Sequence, residues 1–176
     1  RVEVLYHSIH YLDLIRSFLG NPTRVMASTI KHPRAKELAA TRSSIILDYD
    51  EYAQARVLTN HGHVYGPEHE ESYLKIEGTK GAVKVLIGTS LDYPRGKASK
   101  MEYVVLEDGA GWREVALRGE WFPHAFMGTM ADLQNHYLYN TPLPHSTEDA
   151  LQTMQLVETV YRSSEEGGII FNYMEQ

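Results

Sequence analysis

The sequence predicts an α+β domain: a large, mostly antiparallel, open-faced β-sheet with helices packed on one face. A helical pattern opens the chain, short strand-like segments fill its middle, and two helical patterns follow near the end. That segregated order separates α+β from alternating α/β folds. The connectors inside the strand run, notably Gly78-Thr79-Lys80-Gly81 and Asp108-Gly109-Ala110-Gly111, are too short for parallel crossovers and force antiparallel neighbours. With 176 residues, 43% apolar and 23% charged, the chain can fill one compact core, which excludes disorder, collagen and coiled coil.

Residues 5–19 read as the first helix because Leu5, Ile9, Leu12, Ile15 and Leu19 recur at near-helical spacing; Gly20, Asn21 and Pro22 then stop it. Seven strands are expected over 23–31, 42–49, 53–60, 72–77, 81–88, 101–107 and 112–117, where the period is two or the runs are short and β-branched. Val83, Val85 and Ile87 alternate with Ala82, Lys84 and Leu86 and leave neither sheet face clearly polar, which points to a sheet-mediated homo-oligomer. Residues 122–138 read as a helix with a stripe of Phe122, Phe126, Met130, Leu133 and Tyr137, Pro123 suiting its first turn. The last helix, about 147–163, has Ser146 as N-cap with Asp149 three residues on, and should bury Ala150, Met154, Val157 and Tyr161. Gly167-Gly168 ends it, and residues 168–173 can add an eighth strand.

The chain has no Cys, so disulfides, a thiolate nucleophile and Cys-ligated zinc are excluded, and a reducing, cytoplasmic location is the expectation. The net charge is -6, with +1 in residues 1–88 and -7 in residues 89–176, so the overall field repels a phosphate backbone and nucleic acid is not an expected partner. No apolar run approaches the roughly 18 residues of a membrane span, the longest being strand-sized, such as 83–87. Arg1 stands first and a helical pattern begins almost at once, as in a piece of a longer protein.

The densest polar constellation lies in the first helix, where Tyr6, His10, Asp13 and Ser17 share one sector of the helical wheel beside the apolar stripe. His10 titrates near neutrality and can relay a proton, Asp13 can hold its tautomer, and Tyr6 can exchange a hydrogen bond. The alternative is a helix whose His and Tyr satisfy local hydrogen bonds at a domain face. Of the nine His, only His7/His10 and His61/His63 are closely spaced; a metal would need a third ligand such as Asp13, Glu68 or His69. The loop 60–71, with His61, His63, Tyr65 and His69, looks more like a hydroxyl-binding rim than a metal cage, and no metal is expected. Trp121 and His124 beside a helix start can stack on a sugar ring or fill core. There is no strand-led Gly-x-Gly-x-x-Gly, no Walker loop and no Gly-x-Ser-x-Gly elbow.

Taken in order, the motifs resemble the C-terminal domain of the glucose-fructose oxidoreductase / inositol dehydrogenase / MocA (Gfo/Idh/MocA) family. The resemblance rests on His10-Tyr11-Leu12-Asp13-Leu14, then Phe18-Leu19-Gly20-Asn21-Pro22 and Val25, and on the hairpin Ile76-Glu77-Gly78-Thr79-Lys80-Gly81. It continues through Trp121-Phe122-Pro123 to Phe126, and from Pro144-His145-Ser146-Thr147-Glu148-Asp149-Ala150-Leu151 to Tyr161-Arg162-Ser163-Ser164. The resemblance implies a glyceraldehyde-3-phosphate dehydrogenase-like C-terminal fold, with residues 1–176 as a single substrate-binding and oligomerisation domain. It also implies an N-terminal Rossmann partner that binds NAD or NADP and supplies a catalytic Lys, so this chain alone should hold no cofactor and be inactive. The implied activity is oxidation of a CH–OH group of a sugar or polyol. His10 takes the position of the family's active-site His, while Tyr6 stands where many members carry an assisting Asp. Tyr6 and His7 would orient the substrate hydroxyl, and Asp13, His61, His63, His69, Trp121 and His124 would contribute to substrate binding. A non-catalytic ligand-binding or oligomerisation module with this fold is the alternative that the missing Asp motivates; a metal-dependent isomerase or lyase is a third.

Overall fold

The computed structural model describes residues 3–37, 40–62, 66–88, 96–119, 123–167 and 169–171. The α+β class and the antiparallel pairing hold: three α-helices accompany strands whose every described pairing is antiparallel. The strand run forms two four-stranded ladders among the described residues, where one broad sheet was expected. Between β3 and β4 the described residues include a short 3-10 turn, Pro67–His69. The chain correspondingly divides into two compact units, Arg1–His63 with Pro144–Gln176, and Val64–Leu143.

In the first unit a π-helical turn, Val4–Ser8, leads into α1 (Ile9–Leu19). Gly20 ends α1 at φ +74°, in the left-handed region where only glycine is unstrained. Strands β1 (Arg24–Ile30), β2 (Arg42–Asp48) and β3 (Gln54–Asn60) follow, and α3 (Thr147–Glu166) and β8 (Ile169–Ile170) return from the far end of the chain. The sheet order is β3-β2-β1-β8. Its register sorts one face into three rungs. Val25, Leu47 and Ala55 form the first, Ala27, Ile45 and Val57 the second, and Thr29, Ser43 and Thr59 the third. The first two rungs join Leu12 and Ile15 of α1 and Leu156, Val157, Val160 and Tyr161 of α3 in the core. The third rung is entirely hydroxylic.

Ser146 caps α3 as expected, its hydroxyl accepting from the Asp149 amide. The buried stripe differs from the expected one. Val157 and Tyr161 are buried, but Ala150 is exposed and Met154 is 39% exposed, while Thr153 and Ser163 are buried. The reason is hydrogen bonding, to which an apolar periodicity is blind. Thr153 receives a guanidinium N–H from Arg16. Ser163 Oγ accepts from the Ala27 amide at 2.9 Å and donates to the Val25 carbonyl at 3.1 Å, and Ser164 Oγ accepts from the Thr29 amide. β8 pairs only with Arg24 and Val25, so these two serines satisfy the edge of β1 where the partner strand ends.

The second unit holds the ladder β4-β5-β6-β7 (Tyr73–Gly78, Gly81–Leu86, Lys100–Val105, Arg113–Val115) and α2 (Ala125–Tyr139). Gly78 pairs with Gly81 in the expected hairpin, and a Cβ on Gly81 would strike the Val104 carbonyl oxygen of β6. Register resolves the ambiguous alternation into two distinct faces. One carries Lys75, Glu77, Lys84, Lys100, Glu102 and Glu114 among Tyr73, Ala82, Leu86 and Val104, with ion pairs Lys75–Glu77 and Lys100–Glu102. The other is mainly apolar, with Leu74, Ile76, Val83, Val85, Met101, Tyr103 and Val115 beside one charged residue, Arg113. The α2 helix forms where expected, but none of its residues is buried: Phe126, Met130, Leu133 and Tyr137 are all at least half exposed. Phe122, placed on that stripe from the sequence, lies outside the described residues.

Candidate functional site

The start of the first helical segment and the end of β3 meet over the hydroxylic rung. Glu3, directly before the π turn, is 2% exposed. Its Oε1 accepts from Ser8 Oγ at 2.6 Å and from Thr59 Oγ1 at 2.7 Å; Ser43 Oγ lies 2.6 Å from Thr59 Oγ1. Among the described residues Glu3 Oε2 is buried without a hydrogen-bond partner, a state that costs about 1–3 kcal/mol or more for a charged group. His61, immediately after β3, brings Nε2 to 3.7 Å from Glu3 Oε1. The His61 ring stacks on His7, with centroids 3.8 Å apart and planes inclined by 28°. The wide turn places Val4 and Ser8 inward and leaves Tyr6 and His7 exposed. Its Leu5 amide donates to the Tyr161 hydroxyl at 3.2 Å.

His10, in the first turn of α1, is exposed. Tyr6 is 63% exposed. Asp13 is engaged with α3: its Oδ1 accepts from Thr153 Oγ1 and pairs with Arg16 at 3.5 Å. No hydrogen bond joins it to His10 among the described residues, and its bonds tie α1 to α3. His69 closes the 3-10 turn Pro67–His69 and is exposed, and His124 is exposed at the N-terminus of α2 with its ring against Gly119; both belong to the second unit. His63 and Trp121 lie outside the described residues. Thus His7 and His61, 54 positions apart, are brought into contact, with Tyr6 and His10 on the same helical segment as His7.

Sequence reasoning missed Glu3, Ser8, Ser43 and Thr59. The signal was present in the alternation of β1, β2 and β3, whose inward positions run apolar, apolar, hydroxyl in each strand. Among the described residues no group of three or more His, Cys, Asp or Glu is placed to hold a metal ion. Gly109 and Gly111 lie in the connection between β6 and β7, not in a strand-to-helix turn.

The family described as an oxidoreductase family, C-terminal alpha/beta domain, matches residues 4–171. The chain belongs to the Gfo/Idh/MocA oxidoreductase family. Solved oxidoreductase structures share the fold. An oxidoreductase from Agrobacterium radiobacter in complex with NAD+, L-tartaric acid and magnesium aligns with a TM-score of 0.73 at 21% identity, covering 97% of this chain and 49% of that one. Aldose-aldose oxidoreductase from Caulobacter crescentus complexed with glycerol gives 0.73 at 17% identity, covering 96% and 47%. The WlbA dehydrogenase from Bordetella pertussis in complex with NADH and UDP-GlcNAcA gives 0.66 at 20% identity, covering 97% and 45%. This chain thus spans about half the length of these structures. Comparison with curated proteins gives no match. No described helix is long and apolar enough to cross a membrane.

Burial is the main cause that holds the His61 imidazole below its usual range; His7 adds to the effect and the Glu3 carboxylate opposes it. A lowered pKa means that the folded chain binds fewer protons than the unfolded chain. The associated stability is present above the ordinary His value, about 6.5, and is lost as pH falls through the lowered value. His61→Gln should therefore reduce the fall in Tm between about pH 7.5 and about pH 5. Thermal unfolding followed by circular dichroism checks this; an undiminished fall contradicts it.

Proposed function

We propose that this chain is the substrate-binding and oligomerisation domain of an NAD(P)-dependent oxidoreductase that acts on a CH–OH group of a sugar or polyol. Family membership supports the reaction class, and the ligands named with the solved structures, NAD+ and NADH beside tartaric acid, glycerol and UDP-GlcNAcA, support the substrate class by analogy. The observation that carries the reading here is the cluster of exposed imidazoles on one helical segment, His7 and His10, with Tyr6 beside them. A Rossmann-type partner region would hold the nicotinamide dinucleotide, which would supply hydride acceptance when bound there. His10 accepts or relays the hydroxyl proton, while Tyr6 and His7 orient the hydroxyl. His61 belongs to the same rim; His63, His69, Trp121 and His124 are further candidates for binding the substrate. Asp13 serves it by fixing α1. The protein works in the cytoplasm.

The protein carrying this chain, given NAD+ or NADP+ and a panel of aldoses, polyols and sugar acids, should reduce the nicotinamide with at least one of them, read at 340 nm. His10→Ala should lower that turnover by about 10²–10⁴-fold, the worth of a general base. Full activity in His10→Ala would contradict the base assignment, and no turnover across the panel would contradict the substrate class.

Homo-oligomerisation through a sheet face is part of the same reading. The apolar face of β4–β7, only partly covered within the chain, is the surface that fits it. Light scattering should give an assembly that Val83→Glu shifts toward monomer. A wild-type monomer, or an assembly unmoved by Val83→Glu, would count against this face.

A further inference from the structure

We infer that Glu3 is the positioning residue of the imidazole rim: buried on the hydroxylic rung, it sets the place of His61, and through the stacked ring that of His7. This rests on the reading of His7 as a group that orients a substrate hydroxyl, and it goes one layer beneath it.

A carboxylate that is 2% exposed needs a reason to stay buried, because desolvation disfavours it and apolar side chains fill such space at no cost. Glu3 is held from three directions. Ser8 of its own helical segment and Thr59 of β3 both donate to Oε1, and His61 approaches the same oxygen with Nε2 at 3.7 Å. Ser43 of β2 backs Thr59 at 2.6 Å. Among the described residues the second oxygen, Oε2, is buried and has no partner. The two hydroxyls could satisfy a neutral acceptor equally well. What a carboxylate adds is charge beside His61, and that charge favours the protonated imidazole which burial and His7 disfavour. Stacking then couples the two rings, since any rotation of His61 away from Glu3 removes the surface on which His7 rests.

The groups that face His61 are few. Glu3 and His7 come from the first helical segment, and Thr59 from β3. Arg42 of β2 is bonded by Nε to Asn60 Oδ1 next door, and the ring of His32 lies against Gly62. Among these described groups only Glu3 is negative.

Proton NMR of the imidazole Cε1–H groups against pH, in the chain and its variants, tests this directly. Glu3→Gln keeps the size and the acceptor oxygen but removes the charge. It should lower the His61 midpoint and displace the His7 resonance. Glu3→Asp, which restores the charge, should recover part of the shift. His61→Ala, which spares the buried network, should displace the His7 resonance. An unmoved His61 midpoint and an unmoved His7 resonance in a folded Glu3→Gln would overturn the proposal; were that variant unfolded, an unmoved His7 resonance in His61→Ala would do so. In the protein carrying this chain, Glu3→Gln should shift the pH profile of kcat/KM and raise KM more than it lowers kcat. An unshifted profile in an active enzyme overturns the proposal. Absence of turnover in the wild type would defeat the functional reading alone, while the coupling seen by NMR would stand.

Discussion

One buried guanidinium holds the first unit together. The Arg16 side chain is 6% exposed and spends its donors on partners that converge from two helices and a turn. Nε donates to Asn21 at 2.9 Å, Nη1 to Thr153 at 2.5 Å, and Nη2 to Asp149 at 3.0 Å and Gln152 at 2.9 Å. Asp13 completes the set, bonded both to Thr153 and to Arg16. Asp13 and Asp149 remain 42% and 38% exposed, so the charges are only partly desolvated and the clamp avoids much of the penalty of a sealed ion pair. A planar fork with five donors suits this task and a point-charge lysine does not. Nearby, burial pushes the Tyr49 hydroxyl up to about 12 against the opposing pull of Arg16. The clamp fixes the rotation of α1, which packs Leu12 and Ile15 inward and leaves His10 exposed.

From that constraint the arrangement of the site follows. With α1 held by its Arg16 and Asp13 side, the turn that precedes it lies over the end of the sheet core, where the third rung changes from methyl groups to hydroxyls. Glu3 and Ser8 bond to that rung, and His61 leaves β3 beside it. At the opposite edge of the sheet Ser163 and Ser164 finish β1. The same sheet face thus serves as apolar core along most of its length and as a polar seat at one end.

Much of this architecture could be read from the sequence because its causes are local. Gly20 ends a helix, Ser146 starts one, and the Gly78–Gly81 turn makes a hairpin, each through backbone geometry within four residues. The family resemblance was visible for the same reason. The parts that escaped depend on register or on distant partners. Arg16 meets Thr153 across 137 positions, and Glu3 meets Thr59 across 56. The two faces of β4–β7 differ sharply, but only strand pairing aligns the lysines and glutamates into one of them. Buried Thr153 and Ser163 rotate the inner stripe of α3 because each has a hydrogen-bond partner that periodicity does not reveal.

The account turns on the claim that α1 owes its placement to the Arg16 clamp. Native-state hydrogen exchange of the α1 amides in Arg16→Met tests that claim most directly. Exchange through residues 15–19 should quicken by about tenfold or more while the amides of β2, central in its sheet, keep their protection. Protection in α1 equal to that of the unaltered chain would contradict it.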